Sequence, residues 1–201
     1  MLVEEFGRDY GTYFSILGAI ARGKTSRAEI MNEIGGEVGG YLTRLEDQYE
    51  LIAKNQPLFE KSSNKNFLYK IKDNFFRFWF SFVFRHHYLV QTRMFDELGG
   101  IVNRDYDVFS GRALEGYFRN KFIEGKRYTR IGGWWDRRGE NEIDLVCENE
   151  FRGTLDFFEV KRRRRDINLK ALESKTKAFF AKNPQLKDRT LSVGGLCIED
   201  M

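Results

Sequence analysis

A chain of 201 residues that is 41% hydrophobic and 15% aromatic, with 19 phenylalanines, has enough apolar surface for a packed core, which excludes wholesale disorder. The formal net charge is +4 and falls in the second half: residues 1–100 hold 13 basic and 13 acidic side chains, residues 101–201 hold 21 and 17. No signal-peptide pattern or run of about 18 apolar residues is found, and Cys147 and Cys197 fit no zinc or disulfide spacing, so a reducing cytoplasm and no membrane partner are expected.

The elements are taken in chain order. "YFSILGAIARG" spaces Phe14, Leu17 and Ile20 as one face of a helix that Gly23 stops. "TSRAEIMNEIGG" opens with Ser26 and places Glu29 three residues later, a capping-box pattern, before two glycines. "GYLTRLEDQY" predicts a third helix with Tyr41, Leu42 and Leu45 inward. Two short apolar runs, "YELIAK" and "NFLYKI", flank a Pro/Ser/Asn/Lys loop and predict a hairpin. Three helices followed by a hairpin is the order of a winged helix, assigned to residues 1–74.

"NFFRFWFSFVFRHHYLV" is apolar nearly all round and predicts a buried helical connector between two bodies, over residues 75–100. His86 and His87 are adjacent and point apart on a helix, which argues against a shared metal. "ELGGIVNRDYDVFSG" reads as a loop, and "RALEGYFRNKFIEG" as a helix turning Leu114, Phe118 and Phe122 inward. Three strands follow, "YTRIGGWW", "NEIDLVCE" and "TLDFFEVK", joined by the turns "DRRGE" and "NEFRG". "NLKALESKTKAFFAK" is helical and "RTLSVGGLCIE" is the last strand. The second body, residues 101–201, is therefore αβββαβ, and the chain as a whole is α+β.

The hairpin carries chemistry. A turn centred between Phe151 and Arg152 pairs residues whose numbers sum to 303, so Asp144 faces Glu159 and Glu142 faces Lys161. Two carboxylates held that close repel unless a cation lies between them. Mg²⁺ (or Mn²⁺) suits such a pair, since it takes hard oxygen ligands, keeps several waters and accepts substrate phosphate oxygens. An adjacent ammonium, Lys161, adds charge where a phosphoryl transition state forms and serves the attacking water. Glu115 borders the buried stripe of its helix, either as a third acid joining Asp144 and Glu159 on the metal or as an ordinary rim residue. The competing reading is an exposed stripe of acids and a lysine pairing harmlessly across strands.

Asp144 with Glu159-Val160-Lys161 resembles the motif of the PD-(D/E)XK nuclease superfamily, the restriction-endonuclease-like fold, and Glu115 matches the acid its first core helix often contributes. A broader resemblance runs through "YFSILGAIARGKTSRAEI", "YLTRLEDQYELI", "LYKIKDNFFRFWFSFVF", "GRALEGYF", "IGGWWDRRGENEIDLV" and "FFEVK". Together these blocks look like the C-terminal region of archaeal-type AAA+/STAND ATPases, where a winged helix and a nuclease-like domain follow an ATPase domain. The resemblance implies DNA and an ATPase domain or partner protein as associates. No Walker A sequence occurs, since "GKT" at 23–25 lacks the earlier glycine and strand, so ATP binding by that route is not expected.

Candidate contacts to nucleic acid are Arg162, Arg163 and Arg165, the last two reaching the active face if the strand continues. The alternative is a solvated basic turn, with Asp166 or Asn168 capping the next helix. In the winged helix, Lys54, Lys61 and Lys65 offer phosphate contacts, whereas the third helix brings only Arg44 beside Glu46 and Asp47. Of Trp134 and Trp135, alternation buries one. Three functions stay open: a metal-dependent DNA nuclease, a non-catalytic DNA-binding or regulatory module, and an ATPase-docking module.

Overall fold

The structure, a computed structural model, describes residues 2–60 and 66–201; Lys61 and Lys65 lie outside the described residues. It separates into two compact units. One is built from the residues up to Asn55 with Phe67–Tyr106, the other from Gln56–Glu60, Asn66 and Asp107–Met201.

In the first unit, α1 (Leu2–Phe6) precedes α2 (Tyr10–Ala21), which buries Tyr13, Phe14, Ile16, Leu17 and Ile20. "GKT" is the turn after α2, with Gly23 at positive φ. Ser26 opens α3 (Arg27–Ile34) with a complete capping box, its side chain accepting from Glu29 N–H while the Glu29 carboxylate accepts from Ser26 N–H; Gly35 closes the helix in the left-handed region. Ser26→Ala removes one half of that reciprocal pair and is expected to cost about 1 kcal/mol in a denaturant titration, with the folded spectrum unchanged.

α4 (Gly39–Thr43) widens into a π turn over Arg44–Gln48, and β1 (Ile52–Asn55) pairs antiparallel with β2 (Leu68–Ile71), Ile52 opposite Ile71. The observed order is thus three main helices and a two-stranded antiparallel sheet. The aromatic stretch forms α5 (Asn74–Phe78), capped by Asp73, and a π turn over Trp79–Phe84. It packs into the first unit's own core. Phe14 meets Trp79, Phe80 and Phe84 edge-on at centroid distances of 5.8, 5.5 and 5.4 Å, and Phe80 is fully buried. Its apolar surface is not all enclosed, since Phe75 is 67% exposed. α6 (His87–Gln91) follows.

α7 (Phe95–Glu124) corrects the expected loop: it runs unbroken for 30 residues through Gly99, Gly100 and Gly111. Each interior glycine costs about 1 kcal/mol, a weak preference that burial of Leu114 and Phe118 and a dipole-matched first turn (Asp96, Glu97) override.

The second unit is a four-stranded sheet in the order β3 (Arg130–Trp135), β4 (Glu142–Asn149), β5 (Thr154–Val160), β6 (Thr190–Leu196). The first three strands form the expected antiparallel meander. α8 (Leu169–Lys182) then crosses over so that β6 lies parallel to β5. One face packs Trp134, Val146, Leu155 and Phe157 against Leu172 and Phe179 of α8; the other packs Leu145, Cys147 and Val160 against Leu114 and Phe118 of α7. Trp134 is the buried member of the tryptophan pair. The edge of β3 is covered by Leu58, whose N–H donates to Gly133 C=O at 2.8 Å and whose side chain fills the space a Cβ at Gly132 would need. Both cysteines are free and buried. Among the described residues, no helix is long and apolar enough to cross a membrane.

Candidate functional site

The β4–β5 hairpin fixes the geometry. Gly153, at positive φ, closes its turn, and the ladder runs from Asn149 opposite Thr154 to Leu145 opposite Phe158, every pair summing to 303 as the turn placement predicts. One residue further on, the carboxylate of Asp144 takes over from the backbone: Oδ2 accepts the Val160 N–H at 2.7 Å. Glu159 is 6% exposed, and its Oε2 accepts the Asn168 N–H at 2.7 Å. The ammonium of Lys161 lies 3.4 Å from Asp144 Oδ2 and 3.3 Å from Glu159 Oε1, so one cation joins both acids.

A glycine holds part of this arrangement. Gly195 lies opposite Glu159 on β6, and a Cβ there would come within 2.4 Å of Ile167 Cγ2. Its absence lets Ile167 settle against the strand, which brings the Asn168 amide to Glu159. The Asn168 side chain caps α8 by accepting from Ala171 N–H, one of the two caps expected.

Electrostatics set the site apart from an exposed stripe. Burial of Lys161 by itself would lower its pKa, but Asp144 and Glu159 outweigh that and hold it above the ordinary lysine value. Glu115, half-buried on α7, is raised to about 7, first by burial and then by repulsion from Asp144 and Glu142, with Arg112 and Lys161 opposing. It is coupled to the pair by charge rather than by a shared hydrogen bond. Among the described residues, no group of three His, Cys, Asp or Glu side chains is placed to hold a metal ion. The carboxylates that could hold one are Asp144 and Glu159, with Glu115 coupled by charge to Asp144. Two hard carboxylates suit Mg²⁺ or Mn²⁺, whose remaining ligands are water and substrate oxygens.

A cleft of about 320 Å³ opens beside these groups, lined by Asp107, Arg112, Glu115, Lys161, Arg162 and Arg163 among others. Here the arginine expectation is corrected. β5 ends at Val160 and Arg164–Asp166 form a 3-10 turn, so alternation does not carry Arg163 and Arg165 onto an extended strand face. Each arginine meets an acid: Arg162 and Arg163 meet Asp107, Arg164 meets Glu199 and Asp200, and Arg165 meets Asp166. Arg162 and Arg163 nonetheless line the cleft through α7, whereas Arg165 is a 75% exposed turn residue. In the first unit, Lys54 pairs with Glu46 and lies over the Phe67 and Tyr69 rings, and Arg44 donates to the Tyr13 hydroxyl at 3.4 Å.

Three contributors escape sequence reading: Asp107, Arg112 and the backbone amide of Asn168. Only the Asn168 amide left a trace, as the residue expected to cap α8.

Residues 79–178 match the model of the DUF234 family, described as archaea bacterial proteins of unknown function. An uncharacterized protein of Methanocaldococcus jannaschii is 33% identical over 160 residues, covering 75% of this chain and 35% of that protein. The chain therefore spans about a third of the length of this curated relative. No solved structure matches.

Proposed function

We propose that the second unit is a restriction-endonuclease-like module carrying a phosphodiester-hydrolysing site for DNA. The observation that carries this reading is the Lys161 ammonium standing 3.3–3.4 Å from two carboxylates brought together at the end of one β-ladder. Asp144 and Glu159 would hold the ion, and bound Mg²⁺ or Mn²⁺ would supply a polarised phosphoryl oxygen and an activated water. Lys161 places positive charge at the mouth of the cleft, and its raised pKa keeps it protonated at neutral pH, which suits a charge stabiliser better than a base. Glu115, near neutrality in its pKa, is the group able to exchange a proton with water entering the cleft. Arg162 and Arg163 would hold the DNA backbone beside it.

The first unit is read as a winged helix, supported by its helix order and antiparallel hairpin. Of its candidate bases, the described Lys54 and Arg44 are engaged within the fold, which favours phosphate contact or packing over base readout. The sequence blocks quoted above support a place in an archaeal-type ATPase, and the match to about a third of a longer relative supports a place within a longer protein. A second reading, a non-catalytic DNA-binding or ATPase-docking module, is favoured by one observation: the Lys161 ammonium itself satisfies both carboxylates.

Purified protein incubated with fluorogenic duplex DNA separates the two readings. Scission that requires Mg²⁺ or Mn²⁺ and stops with EDTA supports the nuclease; salt-sensitive binding without scission supports the DNA-binding module; absence of both removes these two and leaves ATPase docking.

A further inference from the structure

Resting on the reading of the cleft as a phosphodiester site, we infer that Asp107 is a built-in competitor for its substrate: an autoinhibitory carboxylate seated on the arginines that take the nucleic-acid backbone. Asp107 Oδ1 forms an ion pair with Arg162 Nε at 3.1 Å and Oδ2 accepts from Arg163 Nη2 at 3.1 Å, so one carboxylate bridges two guanidinium groups. Arg162 also donates to Ser110 Oγ, about one turn further along α7. A carboxylate and a phosphodiester offer the guanidinium fork the same pair of acceptor oxygens. The mimicry is positional too, because Asp107, Arg162 and Arg163 line one cleft with Arg112 and Lys161.

The clamp is weak enough to displace. The Asp107 side chain is 53% exposed and that of Arg163 55%, and an ion pair so open to water is worth no more than about fivefold in an equilibrium. A nucleic acid presents successive phosphates and releases condensed counterions as each is neutralised, an advantage a lone carboxylate lacks. The resting cleft is thus neutralised towards small anions and opens to a polyanion. The cost is that binding must first break the clamp, so Asp107 lowers the protein's affinity for its own substrate.

The test is fluorescence anisotropy of the whole chain with a labelled duplex of about 20 base pairs, in EDTA to prevent scission, across roughly 25–200 mM KCl. Asp107→Asn is expected to tighten binding about three- to fivefold and to steepen the log–log salt slope by about one, since released arginines neutralise phosphate without freeing a carboxylate. Asp105→Asn is the charge-matched control: Asp105, two residues before Asp107 on α7, pairs with the adjacent Arg104 and does not belong to the clamp. It should leave affinity within about twofold of the parent. Adding Arg162→Ala and Arg163→Ala to Asp107→Asn should erase the gain. Equal tightening by Asp107→Asn and Asp105→Asn would reduce the effect to net charge and overturn the proposal. Parent-like affinity of Asp107→Asn, with the parent still binding, overturns the clamp and leaves the phosphodiester reading standing. No binding by any variant at the lowest salt overturns both.

Discussion

Asp144→Asn is expected to lower metal-dependent DNA cleavage by roughly 10²–10⁴-fold while leaving the fold intact. The fold survives because the carboxamide oxygen of Asn still accepts the Val160 N–H that the Asp144 carboxylate takes at 2.7 Å. What disappears is half the anionic charge of the donor pair. Lys161→Ala should cost a similar factor for a different reason, and its metal binding separates the cases. Without the ammonium 3.3–3.4 Å away, Asp144 and Glu159 face each other uncompensated, so the lysine variant should bind Mg²⁺ more tightly than the parent while turning over less. Titration calorimetry reads the first quantity and a fluorogenic assay the second. Cleavage unaffected by either substitution would end the assignment of these residues.

Glu115→Gln should stabilise the protein at pH 8 by about 2 kcal/mol and change little at pH 4. The sign follows from the direction of the shift. The folded-state pKa of Glu115 is raised to about 7 by burial and by Asp144 and Glu142. Between the ordinary carboxyl value and about 7 the native state holds a proton that the unfolded chain has released, so stability falls as pH rises through that window. Glutamine removes the titration and the burial of a charge above it. Mg²⁺ should act in the same direction as the substitution: millimolar Mg²⁺ is expected to raise Tm at pH 8 in the parent, with a smaller rise in Asp144→Asn. Thermal scans across pH, with and without Mg²⁺, check both statements; a parent whose stability is flat from pH 5 to 8 would contradict the first.

The site was legible in the sequence to the extent that one hairpin builds it. Asp144, Glu159 and Lys161 lie within a single β-turn-β unit, and the turn "NEFRG", with Gly153 at positive φ, sets their pairing. Leu114, Phe118 and Phe122 announced the helix that packs on it by their spacing. The arginines are the counter-example. Alternation suits a strand that continues, but β5 ends at Val160, and the arginines beyond it pair with Asp107, Glu199 and Asp200 from other elements. The glycines of α7 misled in the same manner: locally they signal a loop, and only packing along the helix outweighs them.

What the amino-acid order settled alone is therefore what neighbours in sequence can settle: most of the helices and strands, the capping box at Ser26, and the register of the β4–β5 hairpin that carries Asp144 and Glu159 to its open end. Folding in three dimensions decided the environment of those acids. It brought the ammonium between them, raised Glu115 towards neutrality, placed Gly195 under Ile167 so that an amide reaches Glu159, and set Asp107 on two arginines more than fifty positions away. Such pairings carry no period in the sequence. They depend on which faces of distant elements are buried together, and that is fixed by the packing of the whole unit.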